Sequence, residues 1–440
     1  MSTKTIVTRL RLSFFAALVL VCTACLLAPD DETDSIVFWI PFEAPNDTYL
    51  KRIADNYNAT NPPIPVTVVS VPQRDITDIS DLLQAMQAGT APDVFMLDRF
   101  TVYQRAEQGI LTDMTPHLRA NRISINNFRD WAWSETLYQR RTYAIPFDAD
   151  LRGLFYNKDM LREAGIAEAD LTALNYINGP ITHAKLWEIA TAVTEYYKTS
   201  SQNKLGFIPQ MDQGWHYTWG FSFGGAFTNP LNLVNDAGVR DGFQFLYDKN
   251  QELRDKNIDI DAFLSDHKKY PEDPEHHPFV QGNLAMTIHG DWFITSISSN
   301  TKFTFDYGVT YIPVPDKKRP FTWAGGYAFG IPATSEKAAA AMRFIAYACG
   351  MEGQQTYSEG MWKTPTDVRL FTWYRDRFFA AGQEFFPETK DIVRIRPPLS
   401  ANVYYWNALS EAQAQVISGD MTVQEALTYV EDTMRPILQR

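Results

Sequence analysis

The chain has 440 residues, of which 45% are hydrophobic and 14% aromatic, and its formal net charge is -12. That length exceeds one ordinary hydrophobic core and fits two lobes, and the apolar content suffices to bury both, which excludes a largely disordered chain. The acidic balance, with no compensating basic patch, excludes a nucleic-acid or anionic-membrane surface, because both need clustered Lys and Arg.

At the amino terminus Lys4, Arg9 and Arg11 precede an apolar run over residues 14–21 that stops at Cys22-Thr23-Ala24-Cys25. A basic start, a short apolar centre and small residues before a cut are the layout of an export signal, and the run is too short for a comfortable membrane span. Residues 1–25 resemble a bacterial lipoprotein signal, which makes Cys25 the lipidated residue, although Cys22 stands where that signal usually has Leu. The alternative is an ordinary signal peptide cut nearby. With Cys25 carrying lipid, Cys349 is the one remaining thiol and a structural disulfide is excluded. Cys349 lies in the helical run AAAAMRFIAYACG and reads as a small buried hydrophobe. Residues 26–35, polar and acidic, read as a tether.

Folding starts at Ile36. SIVFWI is a strand, residues 46–58 have helical spacing with Leu50, Ile53, Ala54 and Tyr57 on one face, and VTVVSV is a second strand. A helix over about 78–88, a third strand at DVFML and a helix over about 102–108 follow. Strands alternating with helices predict a mostly parallel sheet covered on both faces, with ligands bound outside the carboxyl ends of the strands. The residues there are Trp39 to Glu43 after the first strand and Asp98-Arg99-Phe100 after the third.

The stretch YAIPFDADLRGLFYNKDMLREAGI contains two apolar runs, residues 143–147 and 154–156, and then a helix capped by Asn157 and ended by Gly165. No tight-hairpin turn joins the runs, so the segment Asp148-Ala149-Asp150 reads as a crossing between two bodies. A helix over 183–198 with Thr182 as its cap and a strand at GFIPQ come next. The loop QMDQGWHYTWGFSFGGAFTNP crowds Trp215, His216, Tyr217 and Trp219 among glycines, which suits ligand contact or lobe packing. After a helix over 239–256, the pair His276-His277 lacks the further His or Cys that a metal site needs. A strand over 284–288 then ends at His289-Gly290-Asp291-Trp292, and WAGGYAFGIP places Trp323, Gly325 and Tyr327 on a second glycine-marked strand approach. A helix over 336–348 leads to the segment holding Trp362, and the last quarter reads as mostly helical, with Tyr404 near one helix start and a Thr422–Glu425 capping box at another.

In this order, PDVFMLDRF with QGIL, AIPFDADLRGLFYNKDML, FVQGNLAMTIHGDW, GIPATSEKAAAAMRFI and SGDMTVQEAL resemble the extracellular solute-binding proteins of ABC importers, in the group similar to maltose-binding proteins. The resemblance runs from about Ile36 to the carboxyl terminus. It implies an α/β, two-lobed periplasmic-binding-protein fold: two mostly parallel sheets with flanking helices, joined by a three-crossing hinge. The later crossings would lie at about 315–326 and 360–367. One lobe would comprise residues 36–148 and about 324–362, the other about 149–323 and 363–440.

Carried over residue by residue, the maltose-binding pattern matches its carboxylate after the first strand to Glu43, its Asp-Arg pair to Asp98 and Arg99, its acidic contact at the first crossing to Asp148, and its stacking tryptophan to Trp292. It departs in the loop where Gln213, Gly214 and Trp215 replace an acidic residue, and its late stacking tryptophan aligns only loosely with residues 404–406, so strict maltose specificity is not implied. The candidate ligand-binding set is Trp39, Glu43, Asp98, Arg99, Asp148, Trp215, Trp219, Asp291, Trp292, Trp323, Gly325, Tyr327, Trp362 and Tyr404, with no catalytic residue, cofactor or metal. Planar polar groups for hydroxyls and aromatic rings for pyranose faces suit a sugar, and three carboxylates in one cleft repel an anion, so a neutral mono- or oligosaccharide is expected. The expected partners are that sugar, the ABC permease and a membrane reached through Cys25; the protein is expected to be monomeric and in the cell envelope outside the cytoplasmic membrane. A secreted glycoside hydrolase, which also needs two carboxylates around a sugar, and a sugar sensor of the same fold are the alternatives.

Overall fold

The first three strands form because β-branched and aromatic residues alternate or run unbroken over five residues each: Ile36–Ile40, Val66–Ser70 and Val94–Asp98. They pair in parallel and join Tyr327–Gly330 and Ala144–Pro146 in a five-stranded sheet. The structure, a computed structural model, describes residues 35–72, 78–200, 202–210, 214–265, 276–299, 305–380 and 384–439. The signal segment with Cys25, nearly all of the tether, and Gln213 lie outside the described residues.

The architecture is the expected α/β fold with two sheets and flanking helices, but the sheets are mixed. Strand Tyr327–Gly330 runs antiparallel to both of its neighbours. Among the described residues of the seven-stranded sheet, only the pairs of Thr322–Gly325 with Val393–Ile395 and of Leu205–Phe207 with Leu284–Gly290 are parallel. The cause is the crossings: each segment that returns from one body to the other enters its new sheet against the direction of the strand it meets.

The strand Asp148–Asn157 joins the two sheets. Its first residues pair with Thr364–Pro365 (Asp148 opposite Pro365), its next with Thr322–Gly325 (Asp150 opposite Gly325), and its remainder with Leu284–Gly290 and Tyr307–Thr310. The acidic segment expected to lie between two strands is therefore itself strand, because two returning crossings supply hydrogen-bonding partners that no local pattern reveals.

Two separate cores flank it. Phe38, Ile53, Val94, Phe147, Phe329 and Phe344 belong to one, and Leu154, Phe155, Phe207, Trp219, Phe243 and Leu427 to the other. Leu82, Phe95 and Val102 cover the opposite face of the first sheet, which explains why strand Val94–Asp98 is buried throughout. Helix caps lie where the sequence puts them: Asn157 accepts from the Met160 amide at 2.9 Å, Thr182 from that of Lys185 at 3.1 Å, and Thr422 and Glu425 form the capping box. The glycine-rich segment expected to be a loop contains instead the helix Trp215–Phe223, bounded by Gly214 and Gly224 in left-handed conformation. All but the last of its residues are buried, so it has no polar face and no amphipathic period to read.

Gly326 turns the chain between the two sheets at φ +122°, where a Cβ would come within 2.5 Å of the Asp148 carbonyl oxygen and 2.9 Å of the Ala149 Cα. Backbone strain and a clash with the neighbouring crossing both oppose any side chain there. Gly326→Ala is therefore expected to lower stability by about 2 kcal/mol or more in urea unfolding; an unchanged midpoint would show that the crossings are not closely packed.

Candidate ligand-binding site

A cavity of about 290 Å³ opens where the crossings meet, lined by Phe42, Asn46, Asp98, Asp150, Arg152, Trp292, Thr295, Ser296, Trp323, Tyr327, Tyr357, Met361, Lys363, Arg396 and Trp406. Strand periodicity builds its floor: Asp150 and Arg152 alternate along one strand and so share a face, with Asp148 buried on the same face beneath them. Asp150 accepts from Arg152 Nη1 at 2.9 Å and from the Gly325 amide, and its other oxygen lies 3.8 Å from Lys363 Nζ. Burial raises the Asp150 pKa, but Arg152, Lys363, Arg396 and Arg99 together outweigh it and hold the carboxyl below the ordinary range.

Three indoles line the walls. Gly290 lets Trp292 fold back over the strand end, since a Cβ there would sit inside the ring. The Arg152 guanidinium lies 3.4 Å from the centroid of the Trp323 ring and 5.2 Å from that of Trp292, and Lys363 Nζ is 4.4 Å from the latter. Trp323 is fixed by a 2.8 Å bond from its Nε1 to Thr218 Oγ1. Arg396, just past strand Val393–Ile395, donates to Asp98 Oδ1 at 2.7 Å, and its guanidinium packs 4.1 Å from the Phe100 ring centroid and 5.6 Å from that of Trp406. This pair ties the two bodies together across the cavity.

Of the residues expected at the site, Asp98, Trp292, Trp323 and Tyr327 line the cavity. Arg99 does not: it is wholly buried, donates to Glu135 at 3.0 Å and gives its terminal nitrogens to the carbonyls of Asp148 and Gly325. Asp148 is buried beneath the cavity, with Oδ1 accepting from the Tyr327 amide at 2.6 Å and Oδ2 lying 3.9 Å from Lys363. Burial pushes its carboxyl up despite Lys363. Asp291 is wholly buried and accepts from Thr364 N at 3.0 Å and Oγ1 at 2.6 Å, fastening the third crossing. Gly325 packs against Asp150 and Arg396.

Trp215 and Trp219 belong to the core, which decides between their two readings in favour of packing. Trp362 packs on Phe378 and Arg377, away from the cavity. Trp39 lines a different hollow of about 300 Å³ beside Ile40 and Asp78. Glu43 is exposed, although its neighbours Phe42 and Asn46 reach the cavity, and Tyr404 is half exposed while Trp406, two residues on, lines it.

Asp150, Arg152, Lys363 and Arg396 are the charged lining residues missing from the sequence-based set. Asp150 and Arg152 had a signal, since they alternate with Asp148 in the segment identified as a crossing. Among the described residues no cluster of His, Cys, Asp and Glu is arranged to hold a metal ion, and no helix is long and apolar enough to cross a membrane.

The sequence profile of the bacterial extracellular solute-binding proteins matches residues 43–355. The chain is 20% identical over 310 residues to a galactooligosaccharide-binding protein of Bacillus subtilis, covering 65% of this chain and 63% of that one. It is 21% identical over 297 residues to a maltotriose-binding protein of Pyrococcus abyssi, covering 66% and 56%. These matches thus span less than two thirds of the relatives' own lengths. In fold it is similar to the GacH receptor of Streptomyces glaucescens, solved unliganded and with acarbose, at a TM-score of 0.74 and 22% identity, covering 92% of this chain and 98% of that one. Maltose-bound MalE3 of T. maritima superposes with a TM-score of 0.74 at 18% identity, covering 92% and 99%.

Asp291 gives this arrangement a pH dependence. Burial, opposed by Lys363 and the Thr364 hydrogen bonds, raises its pKa to about 7, above the ordinary carboxylate value of about 3.9. The folded state therefore holds that proton more tightly, and the stabilisation is full below the unfolded pKa and lost as pH rises through about 7. The stability of the wild type relative to Asp291→Asn, from urea unfolding, is expected to fall by roughly 2–3 kcal/mol between about pH 5 and about pH 8. A difference independent of pH would contradict the assignment.

Proposed function

This chain belongs to the bacterial extracellular solute-binding protein family, and from that premise we propose that it captures a carbohydrate between two lobes and delivers it to an ABC permease. The observation that carries the reading is the lining of the cavity: Trp292, Trp323 and Trp406 with Asp98, Asp150, Arg152, Lys363 and Arg396. Pyranose rings have apolar faces that suit indoles and hydroxyl rims that suit planar charged groups. The names of the relatives, which bind galactooligosaccharide and maltotriose, support the same class.

Residues 36–148 and about 324–362 form one lobe in this reading, and about 149–323 and 363–440 the other. Sugar bound to both shifts the population toward the closed form that a permease recognises. The protein acts as a monomer, anchored outside the cytoplasmic membrane through lipid on Cys25. Repulsion by carboxylates alone does not argue for a neutral solute here, because three cations, Arg152, Lys363 and Arg396, line the cavity beside Asp98 and Asp150. Capture suits the charges better than hydrolysis does: a glycoside hydrolase needs a carboxylic acid of raised pKa at the bond, whereas Asp150 is held low.

Two outcomes test this function. Trp292→Ala is expected to weaken binding of the best sugar from a mono- and oligosaccharide panel by roughly 1–3 kcal/mol in calorimetry, the scale of losing a stacked aromatic side chain; unchanged affinity would remove Trp292 from the site. Expressed in a bacterium that processes lipoproteins, Cys25→Ser is expected to move the protein from the membrane fraction to the soluble one, and retention with the membrane would refute the anchor.

A further inference from the structure

Three indoles line the cavity, but they are not equally open to a ligand. Trp323 is 1% exposed and Trp406 6%, and the faces of both are taken. The Arg152 guanidinium lies 3.4 Å from the Trp323 ring centroid. Tyr217 stacks on Trp406 at 6.0 Å between centroids, while Phe100 and His216 pack against it at 5.6 and 5.3 Å. A sugar ring could stack on either indole only by displacing these groups. Trp292, by contrast, is half-buried.

The other half-buried rings among the described lining residues are Phe42 and Tyr327. They meet edge to face with centroids 5.4 Å apart and so form one surface rather than two. One indole and one aromatic pair are as many aromatic surfaces as a single pyranose has faces. The size of the cavity agrees, since about 290 Å³ is at the small end of the roughly 300–1,000 Å³ of small-molecule sites. The second hollow, which holds Trp39, shares no lining residue with it and does not lengthen it.

The charged groups are held by one another: Asp98 by Arg396, Asp150 by Arg152, and Lys363 by Asp148 and Asp150. Groups fixed before the ligand arrives meet the hydroxyl rim of a ring at little ordering cost. A second sugar residue has no such advantage, because the two remaining indoles are covered and offer it no face.

Resting on the carbohydrate-capture reading above, we infer that the site recognises one sugar ring, so that its ligand is a monosaccharide stacked on Trp292, and further residues of a sugar chain contribute little. Calorimetry on the full folded chain decides this with three series: glucose, maltose and maltotriose; galactose, galactobiose and galactotriose; mannose, mannobiose and mannotriose. In each series that binds, the monosaccharide is expected to bind, and no longer member is expected to be ten-fold or more tighter. Ten-fold is about 1.4 kcal/mol, the scale of one added stacked ring. Trp292→Ala is expected to weaken the monosaccharide and any longer member that binds by the same factor, with its unliganded melting temperature reporting its folding. Should the variant fail to fold, the wild-type series still decide.

A di- or trisaccharide that binds ten-fold or more tighter than its monosaccharide overturns the inference and leaves carbohydrate capture standing. So does a trisaccharide that keeps its affinity in Trp292→Ala while the monosaccharide loses its own. No binding by any member of the three series, nor by the wider sugar panel, brings down both.

Discussion

Every feature of the site depends on the strand Asp148–Asn157 meeting the two returning segments at Thr364–Pro365 and Thr322–Gly325. Three passes of chain in one place leave backbone carbonyls facing inward, and Arg99 satisfies two of them, on Asp148 and Gly325, while Glu135 balances its charge. A fully buried ion pair contributes little net stability once desolvation is counted, but losing one partner leaves the other charge stranded at a cost of several kcal/mol. Its value here is geometric. It holds the first and second crossings in register, and the side chains of Asp150, Arg152 and Trp323 inherit their positions from that register.

The electrostatics follow from the same packing. Glu135 and Asp291, sealed beneath the cavity, have carboxyls raised to about 7, chiefly by burial. Asp150, on the cavity floor and less deeply set, moves the other way because four cations surround it. Burial thus raises the carboxyls in the layer beneath the crossings, while the layer that lines the cavity keeps its charges in pairs. The Asp98–Arg396 pair and the bond from Asn402 to the Phe100 carbonyl at 2.8 Å fasten the end of the third strand to the last part of the chain.

Much of this was legible in the sequence wherever the signal was local. Asn157, Thr182 and Thr422 announce helix starts through bonds spanning three residues, and Trp292 announces itself by following a strand that ends in glycine. What was hidden depends on partners far along the chain. Arg396 meets Asp98 across nearly 300 residues, and Lys363 reaches the cavity because its crossing pairs with Asp148 and Ala149. Neither stands in a pattern that periodicity can read. Arg99 misleads for a related reason: after a strand, a charged residue suggests contact with ligand, and only the returning crossings reveal carbonyls waiting for it. Helix Trp215–Phe223 shows the opposite failure, since burial on all sides erased the amphipathic signal that identifies helices elsewhere in the chain.

The central claim is that this cavity, framed by the three crossings, is where a carbohydrate is held. A crystal structure of the protein with a sugar that binds it in solution tests that claim most directly. In that complex one ring is expected against Trp292 or Trp323, with polar groups of the sugar on Lys363, Arg396 or Asp150. A sugar bound outside the cavity, or inside it with no indole against a ring face, would show that this cavity is not the carbohydrate site.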